Sequence, residues 1–413
     1  MPAQVPKMKS EKPNIAIIVL DSVGFDAFYS VLKSRRRRLG GFVHVEKCIA
    51  PASWTLPSHA SLFTGMYPSE HGSHETKSVK ALDIEQIRLR KYTIVDDLKA
   101  AGYKAYGISA NPYIHPIYGF TGFDSFVEET YFTDMQGHMI EIPKRLKPLL
   151  AKYREQYGGS FFKIGFAMLR DDPGLITEVA GLPETGVLTL RNIAKRARAK
   201  VIEGWPIEKG GKNALKNFMG FKAEEPFFFF LNLMEAHEPY VGRKGMDFDW
   251  SAPFLKKQPA KELIELWRKK YTAGIDKALS YAIGVYDYMI AKHPNSIVII
   301  TSDHGQEFGE HDFIGHGVRL DDELVHVPFL VHLPEWLEHK KSREYASLAN
   351  VRKFLNLAAS GDRKSMEALY SKKVYAESFG VQSNFLKSEK LAGSLNLKKL
   401  KKLDRYQKRV FGG

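Results

Sequence analysis

The chain has 413 residues, a length that suits one large α/β domain with a small appendage and exceeds what a minimal domain needs. Its 61 lysines and arginines outnumber 47 acidic residues, so the net charge of +14 favours anionic ligands, anionic polymers or an anionic membrane surface as partners. A single cysteine, Cys48, excludes an intramolecular disulfide, and its strand-like neighbours predict a buried, inert thiol.

Local clusters hold much of the basic excess. They comprise the four arginines at 35–38 and the lysines Lys398, Lys399, Lys401 and Lys402. Such clusters either bind an anionic polymer or membrane surface or are simply solvated, and both interpretations stay open. Residues 1–13 lack the apolar stretch of a secretory signal, and no apolar run approaches membrane-spanning length. We therefore expect a flexible N-terminus on a soluble, cytoplasmic protein without a transmembrane segment; its oligomeric state is not predicted.

The apolar pattern predicts a sheet covered by helices on both faces. Short apolar and β-branched runs predict buried strands at residues 14–20, 42–49, 104–109, 227–233, 296–301 and 327–331. Helices are predicted at residues 58–64, from an N-cap at Thr93 to residue 101, and from about 260 to 292. This alternation predicts an α/β fold, a three-layer sandwich around a central, largely parallel sheet.

Two regions depart from this alternation. Residues 131–222 are basic and have helical patterns with few strand signals, which predicts an insertion that is either a lid or a structural excursion. Residues 333–413 have helical patterns, one short strand at 374–376 and a lysine-rich tail, whose last residues we expect to be disordered. The main domain is therefore predicted over residues 14–332, followed by a reduced C-terminal extension.

Chemically active side chains lie at the ends of the predicted elements. The first strand ends in Asp21, and the strand at 296–301 is followed closely by Asp303 and His304. Ligands of open α/β sheets bind at such strand ends. Thr55 lies at a loop-to-helix junction, where backbone N–H groups are open to an anion, although threonine is also a good helix N-cap. Together these residues predict a hydroxyl nucleophile activated by a metal.

The chain resembles the sulfatase-like branch of the alkaline phosphatase superfamily. The resemblance rests on five pieces in order: Leu20-Asp21-Ser22; residues 55–65 followed by Tyr67-Pro68 and His71-Gly72; His237-Glu238-Pro239-Tyr240; Ser302-Asp303-His304-Gly305; and Gly315-His316-Gly317. It extends over residues 14–332 and implies that this part is a catalytic domain with an alkaline phosphatase-like fold. A smaller C-terminal subdomain often follows in the family.

The resemblance also implies roles for individual residues. The implied ligands of one divalent cation are Asp21, Thr55, Asp303 and His304. Thr55 would be the nucleophile. His237 and His316 match positions that contact the transferred group or protonate the leaving oxygen. Ordinary loop histidines are the alternative for these two positions.

One departure from the family concerns the nucleophile. Sulfatases convert a Cys or Ser in Cys-x-Pro-Ser-Arg into formylglycine, whereas this chain has Thr55-Leu56-Pro57-Ser58-His59. Threonine is a secondary alcohol, so its oxidation would give a ketone and not the aldehyde whose hydrate expels sulfate. A phosphothreonine can instead be hydrolysed by water or passed to an acceptor alcohol. His59 replaces the Arg that usually steadies the nucleophile, which leaves the anchoring of Thr55 open.

The second departure concerns the number of cations. Two-metal relatives have an Asp four residues before a His, and Leu233 occupies that position before His237. Ser22 stands where many sulfatases have a second carboxylate after Asp21. We therefore predict one tightly held cation. Mixed carboxylate, hydroxyl and imidazole ligation favours Mn²⁺ or Zn²⁺, with Ca²⁺ or Mg²⁺ as alternatives.

The sequence thus predicts a metal-dependent hydrolase or phosphotransferase acting on an anionic phosphate mono- or diester through a covalent intermediate on Thr55. One alternative is a sulfate or phosphonate ester hydrolase that uses Thr55 directly. The other is a non-catalytic protein that binds an anion with the same cleft and the basic surface. The natural substrate is not predicted, because specificity resides in residues 131–222 and in loops.

Overall fold

The computed structural model describes residues 12–33, 35–75, 84–129, 209–241, 259–381 and 407–412, together with 396, 398, 401 and 402. Their strands are β1 (Asn14–Leu20), β2 (Val43–Ile49), β3 (Lys104–Ser109), β4 (Ser125–Glu128), β5 (Phe227–Leu233), β6 (Ser296–Thr301), β7 (Glu307–Phe308), β8 (Ile314–Gly315), β9 (His326–His332), β10 (Tyr345–Ser347), β11 (Tyr370–Ser371), β12 (Lys373–Ser378) and β13 (Gln407–Gly412). Their α-helices are α1 (Phe25–Leu32), α2 (Thr55–Thr64), α3 (Pro68–His71), α4 (Ile84–Ile87), α5 (Ile94–Ala100), α6 (Gly211–Gly220), α7 (Lys261–Lys292), α8 (Asp322–Val325) and α9 (Val351–Ala359). Short 3-10 turns lie at Arg36–Leu39, Pro116–Tyr118, Glu310–Asp312, Leu348–Asn350 and Ser365–Leu369.

The chain divides into two compact units. One consists of Met1–Glu129 and Pro206–Gly413, and the other of Thr130–Trp205. The second unit, and with it most of the insertion predicted at 131–222, lies outside the described residues. That insertion and its function as a lid stay predictions.

A nine-stranded sheet forms the centre of the first unit, in the order β11-β10-β2-β9-β6-β1-β5-β3-β4. Its neighbouring strands are parallel except where β9 pairs with β2 and β6 and where β11 pairs with β10. The predicted α/β fold with a largely parallel sheet is therefore confirmed. In β1, Val19 pairs with Asn232 of β5 on one side and with Thr301 of β6 on the other. The residues that follow these three strands consequently meet at one edge of the sheet.

Burial of both faces explains why the strands have continuous apolar runs. One face of β1, with Ala16, Ile18 and Leu20, belongs to the core that also holds α1, α6 and α7. On the opposite face, Phe63 of α2 contacts Phe230 of β5 with ring centroids 4.9 Å apart, and α9 packs against α2 and α5. Helices on each face and a sheet between them make the predicted three layers.

The boundaries of two predicted elements are instructive. A helix is predicted from residue 58, but α2 begins at Thr55. The helix tolerates Pro57 in its first turn, because the N–H that proline lacks would have no intrahelical acceptor there. The predicted N-cap at Thr93 is confirmed, since its side chain accepts a hydrogen bond from the N–H of Val95, while Asp96 accepts one from the N–H of Thr93. Capping chemistry was sufficient to place the start of α5, whereas the predicted start of α2 is three residues too late.

The C-terminal region takes part in the sheet. β10 lies parallel to β2 and β11 pairs with β10, so the central sheet continues beyond residue 332, where the main domain was predicted to end. β13 pairs with β12 from Gln407 to Gly412. The expected disorder of the last residues is therefore wrong for 407–412. Here Phe411 is buried against the small core that contains Val374, which offsets the exposure of its charged neighbours.

Predictions from composition have mixed outcomes. Arg35 donates hydrogen bonds of 2.6 and 2.8 Å to Asp276, and Arg38 pairs with Asp287, so part of the arginine cluster is neutralised within the chain. Binding of an anionic partner by the basic clusters stays a prediction. Cys48 is buried, as predicted, and burial raises the pKa of its thiol. Within the described ranges, every helix is too short or too polar to cross a membrane.

Candidate active site

The strand ends bring two carboxylates and one imidazole together. Asp21 follows β1, and Asp303 and His304 follow the neighbouring parallel strand β6. All three side chains are buried, and one ligand atom of each lies within 4.8 Å of the others. The Nε2 atom of His304 lies 3.4 Å from Oδ2 of Asp303 and 4.0 Å from Oδ1 of Asp21. The sheet register therefore assembles three groups that are 283 residues apart at their extremes.

Backbone hydrogen bonds leave defined atoms of this group for a ligand. Oδ1 of Asp303 accepts hydrogen bonds from the N–H groups of Ser22 and His304, at 3.1 and 3.0 Å. Nδ1 of His304 donates to the carbonyl of Gly305 at 2.9 Å, which leaves the lone pair on Nε2. Oδ2 of Asp303 and Nε2 of His304 are buried and have no hydrogen-bond partner. Two buried acceptor atoms that lie 3.4 Å apart without hydrogen-bond partners fit a divalent cation.

The pKa shifts of these three groups also favour a bound cation. Burial, and then the charge of Asp21, raise the pKa of Asp303. Burial would also raise the pKa of Asp21, but His237, His304 and His59 outweigh it and lower that pKa below its ordinary value. Burial lowers the pKa of His304 to about 4, so this ring is neutral at neutral pH, the form that binds metals. Without an added positive charge, the two carboxyls are therefore unlike, one ionised and one inclined to keep its proton.

The loop after β1 holds the carboxylate of Asp21 through a strained backbone conformation and hydrogen bonds. Ser22 has φ +63°, in the left-handed region that non-glycine residues rarely adopt, and its hydroxyl donates to Asp21 at 3.1 Å. Tyr271 of α7 donates to the carbonyl of Ser22 at 2.9 Å and accepts from the N–H of Gly24 at 3.0 Å. Strain that is held by such bonds is common at functional sites.

Thr55 is the first residue of α2, and its side chain is buried beside Asp21. The N-cap of this helix is Trp54, so the hydroxyl of Thr55 does not occupy the capping position. That hydroxyl accepts a hydrogen bond of 3.3 Å from Nδ2 of Asn111, which also donates to Oδ2 of Asp21 at 2.8 Å. Oδ1 of Asn111 accepts from the N–H of Tyr113 at 2.9 Å, which orients the amide with its nitrogen toward the site. The hydroxyl and the carboxylate are thus held against one amide group.

His59 lies one helical turn after Thr55. It contacts both this helix and the ligand group, which comprises Asp21, Asp303 and His304. Its Nδ1 bonds to the carbonyl of Thr55 at 2.9 Å and lies 3.4 Å from Oδ2 of Asp303. Burial lowers the pKa of His59 to about 4, so the ring does not replace the charge of an arginine at neutral pH. The hydrogen bond to the hydroxyl of Thr55 comes from Asn111.

His237 and His316 face the same group from two loops. Nε2 of His237, after β5, lies 4.0 Å from Oδ1 of Asp21, and its ring centroid is 5.3 Å from that of His316. His316 follows β8; its Nδ1 bonds to Oε1 of Gln306 at 2.7 Å, and its ring lies 4.4 Å from that of His304. Burial, and then His304 and His237, lower the pKa of His316. Both histidines therefore lie beside the ligand group, as the sequence predicted, while their roles stay predictions.

A further carboxylate lies beside these histidines. Glu238 is buried, neither of its carboxyl oxygens has a hydrogen-bond partner, and burial raises its pKa. One ligand atom each of His237, Glu238 and His316 lies within 4.8 Å of the others. Leu233, which motivated the prediction of a single cation, is buried in the main core. The number of cations stays a prediction, to which Glu238 adds a group that the sequence argument did not weigh.

Two asparagines at the site were missed from the sequence. Asn111 follows β3 by two residues, the same position relative to a strand end that drew attention to Asp303. Asn232 lies in β5, where its Nδ2 donates to Oδ2 of Asp21 at 3.2 Å. A single polar residue within the apolar strand Phe227–Leu233 was the available signal, because a fully buried strand has little reason to contain an amide.

Comparisons with known proteins agree with this geometry. The family model described as Sulfatase matches residues 13–358, whereas a comparison with curated proteins found no match. A phosphonate monoester hydrolase from Silicibacter pomeroyi is 14% identical over 90% of this chain and 80% of that chain, with a TM-score of 0.57. A 2-O GAG sulfatase is 15% identical over 90% and 79%, with a TM-score of 0.55. A phosphonate monoester hydrolase of Agrobacterium radiobacter is 13% identical over 89% and 80%, also with a TM-score of 0.55. At these identities the structural likeness concerns the fold.

Proposed function

The chain belongs to the sulfatase family, and from this premise we propose that it hydrolyses phosphate mono- or diesters, or transfers their phosphoryl group, through a covalent intermediate on Thr55. Membership of the family makes it a hydrolase of sulfate or phosphate esters in general. The nucleophile, the choice of phosphate and the dependence on a metal belong to the proposal.

The observation that carries the proposal is the surroundings of the Thr55 hydroxyl. It lies at the first residue of a ten-residue helix, next to Asp21 and held by the same amide of Asn111. First-turn N–H groups and the helix dipole favour an anion there, so an ester phosphate would lie against the hydroxyl. A structural threonine would need neither the orphaned acceptors of Asp303 and His304 nor the strained backbone of Ser22 beside Asp21.

The residues that would hold a divalent cation are Asp21, Thr55, Asp303 and His304. When bound, such a cation supplies positive charge that lowers the pKa of a coordinated hydroxyl and stabilises anionic oxygens. Mixed oxygen and nitrogen ligands favour Mn²⁺ or Zn²⁺. His59 lies behind this group and orients the first turn of α2 through the carbonyl of Thr55.

The chemistry balances on groups of this chain. The Oγ1 atom of Thr55 attacks phosphorus, a new O–P bond forms, and the bond from phosphorus to the ester oxygen breaks. Thr55 loses a proton in this step and the leaving oxygen needs one. His237 and His316 each bond through Nδ1 to an acceptor oxygen in the orientation seen here, so Nε2 of each is the nitrogen that accepts and returns a proton. Attack by water on the phosphothreonine, or by an acceptor alcohol, then restores Thr55.

We propose phosphate esters over sulfate esters because threonine cannot be converted into formylglycine. Formylglycine requires a Cys or a Ser, and the residue at this position is Thr55. A sulfate ester of threonine would have to be cleaved without the elimination that the aldehyde hydrate allows. A phosphothreonine has no such difficulty, since water can attack at phosphorus.

The second candidate is hydrolysis of sulfate or phosphonate esters with Thr55 as a direct nucleophile. It is favoured by the family description and by the names of the similar structures, a sulfatase and two phosphonate monoester hydrolases. Initial rates with p-nitrophenyl phosphate, bis-p-nitrophenyl phosphate, p-nitrophenyl sulfate and a phenylphosphonate ester distinguish the candidates. Each should be measured with Mn²⁺, Zn²⁺, Mg²⁺ and Ca²⁺ separately.

The decisive experiment traps the intermediate. Rapid quench during turnover of a ³²P-labelled ester should give a labelled peptide that contains Thr55, and Thr55→Ala should abolish both the label and nearly all turnover. Thr55→Ser should retain appreciable activity, because its primary hydroxyl can still attack. Full activity of Thr55→Ala would refute the covalent mechanism. Salt-sensitive anion binding without any turnover would instead support the non-catalytic alternative.

A further inference from the structure

A second group of side chains that are of metal-ligating types lies outside the active site, around the hairpin of β7 and β8. Glu307 belongs to β7, His311 to the 3-10 turn Glu310–Asp312, and Glu323 to α8. One ligand atom of each lies within 4.8 Å of the others, and Nε2 of His311 is 3.3 Å from Oε2 of Glu323. Three segments of the chain therefore contribute one ligand each to one small volume.

Glu307 distinguishes this group from an ordinary acidic surface. Its side chain is 0% exposed, and neither carboxyl oxygen has a hydrogen-bond partner. Arg319 reaches it only at 3.9 Å, while the same nitrogen donates to Asp321 at 2.5 Å. Burial, and then Asp321, raise the pKa of Glu307 to about 9, so an ionised carboxylate is unfavourable there without further positive charge. A buried acid aimed at two surface ligands is unusual unless something binds between them.

We propose that Glu307, His311 and Glu323 bind a divalent transition-metal cation of the Zn²⁺ or Mn²⁺ type. Two carboxylates and one imidazole are a ligand set that such cations accept, with water in the remaining positions. The side chains of His311 and Glu323 are 47% and 39% exposed, which gives the cation and its water access from solvent. The buried Glu307 would close the site from the inside.

A cation in this place would brace the active-site loops without taking part in the reaction. The backbone of Glu323 lies so close to Gly305 that a Cβ at that glycine would be 1.9 Å from the carbonyl oxygen of Glu323. The N–H of Gly305 also donates to the carbonyl of Leu324 at 2.8 Å. Gly305 directly follows His304 and lies against Glu323 of α8. A cation bound by both Glu307 and Glu323 would therefore hold the segment that carries Asp303 and His304 against α8.

The test counts cations in the full-length protein. The double variant His311→Ala/Glu323→Gln removes the two exposed ligands, a change at surface positions that the fold should tolerate. The matched control Glu335→Gln/His339→Ala makes the same chemical change at two exposed residues outside the cluster. Each protein is equilibrated with Zn²⁺, desalted and measured for metal per chain by mass spectrometry. Wild type and control should each retain one cation more than the double variant.

Glu307→Gln provides the second variant. If Glu307 binds a cation, this variant should also lose one cation. If Glu307 is simply protonated and binds no cation, the metal content should not change. Addition of Zn²⁺ to chelator-treated protein should also raise the midpoint of thermal unfolding more in the wild type than in the double variant. Equal metal content in the wild type, the double variant and Glu307→Gln would overturn the proposal. The difference of one cation does not depend on the active site, so failure of the proposed function would leave this result intact.

Discussion

Asn111 offers the sharpest test of the active-site geometry, because one amide nitrogen donates both to Thr55, the proposed nucleophile, and to the carboxylate of Asp21. Asn111→Ala removes the hydrogen bonds to Asp21 and Thr55, of 2.8 and 3.3 Å. A hydrogen bond to a charged group contributes about 1.5–3 kcal/mol. Since about 1.4 kcal/mol changes a rate tenfold, kcat should fall about 10- to 150-fold. KM should change little, because Asn111 positions Thr55 and is not proposed to bind the substrate.

Asn111→Asp tests the effect of a negative charge at this position. It keeps the shape of the side chain but sets a third carboxylate beside Asp21, so repulsion replaces a hydrogen bond and kcat should fall further than in Asn111→Ala. Initial rates with p-nitrophenyl phosphate and bis-p-nitrophenyl phosphate measure both variants. Circular dichroism and thermal unfolding show whether each variant keeps the fold.

A matched control separates catalysis from stability. Asn356 also donates its side-chain amide to a carboxylate, that of Asp97 at 2.5 Å, but away from the active site. Asn356→Ala should lower the free energy of unfolding and leave kcat unchanged. A folded Asn111→Ala protein whose kcat stays within about twofold of the wild type would refute the proposed role of the amide.

Two further predictions concern the loop histidines and an ion pair. His237→Ala and His316→Ala should each lower kcat about 10²- to 10⁴-fold with nearly unchanged metal content, and unchanged rates in both variants would remove these residues from the mechanism. Burial raises the pKa of Asp97, but Arg352 and Asn356 outweigh it and lower the pKa below 3.8. The stabilisation is therefore complete above pH 3.8 and is lost as the pH falls through the lowered value, so Asp97→Asn should cost about 1–3 kcal/mol at pH 7 in urea unfolding and converge on wild type in acid. A constant difference across that range would contradict the assignment.

The meeting of the two strand-end carboxylates could be predicted because their geometry follows from a local rule. Asp21 and Asp303 each come at or just after the end of an apolar run, and parallel strands that end at one sheet edge bring such residues together whatever their separation in sequence. Asn111 follows the same rule but carries no charge, so its position attracted no attention. Glu238 lay inside a recognised motif, yet its proximity to His316 depends on two loops whose paths no local pattern determines.

The short strands at the sheet edge were beyond prediction for another reason. β10 has three residues and pairs with β2, about three hundred residues earlier in the chain. A strand of that length has little intrinsic preference for extended backbone, and its formation depends on a distant partner. β13, which pairs with β12 in a separate two-stranded sheet, was missed because Lys408 and Arg409 are adjacent and Phe411 is its single buried residue.

The position of β1 has a consequence for how the enzyme would fail when heated. This strand is hydrogen-bonded to β5 on one side and β6 on the other, and all seven of its residues are buried. Its amides can exchange with solvent only through an opening that disrupts the whole sheet, and so should be among the slowest in the molecule. The carboxylates at the ends of β1 and β6 would then part only in the global transition. Loss of turnover on warming should coincide with cooperative unfolding, which would make activity an internal reporter of whether the sheet is intact.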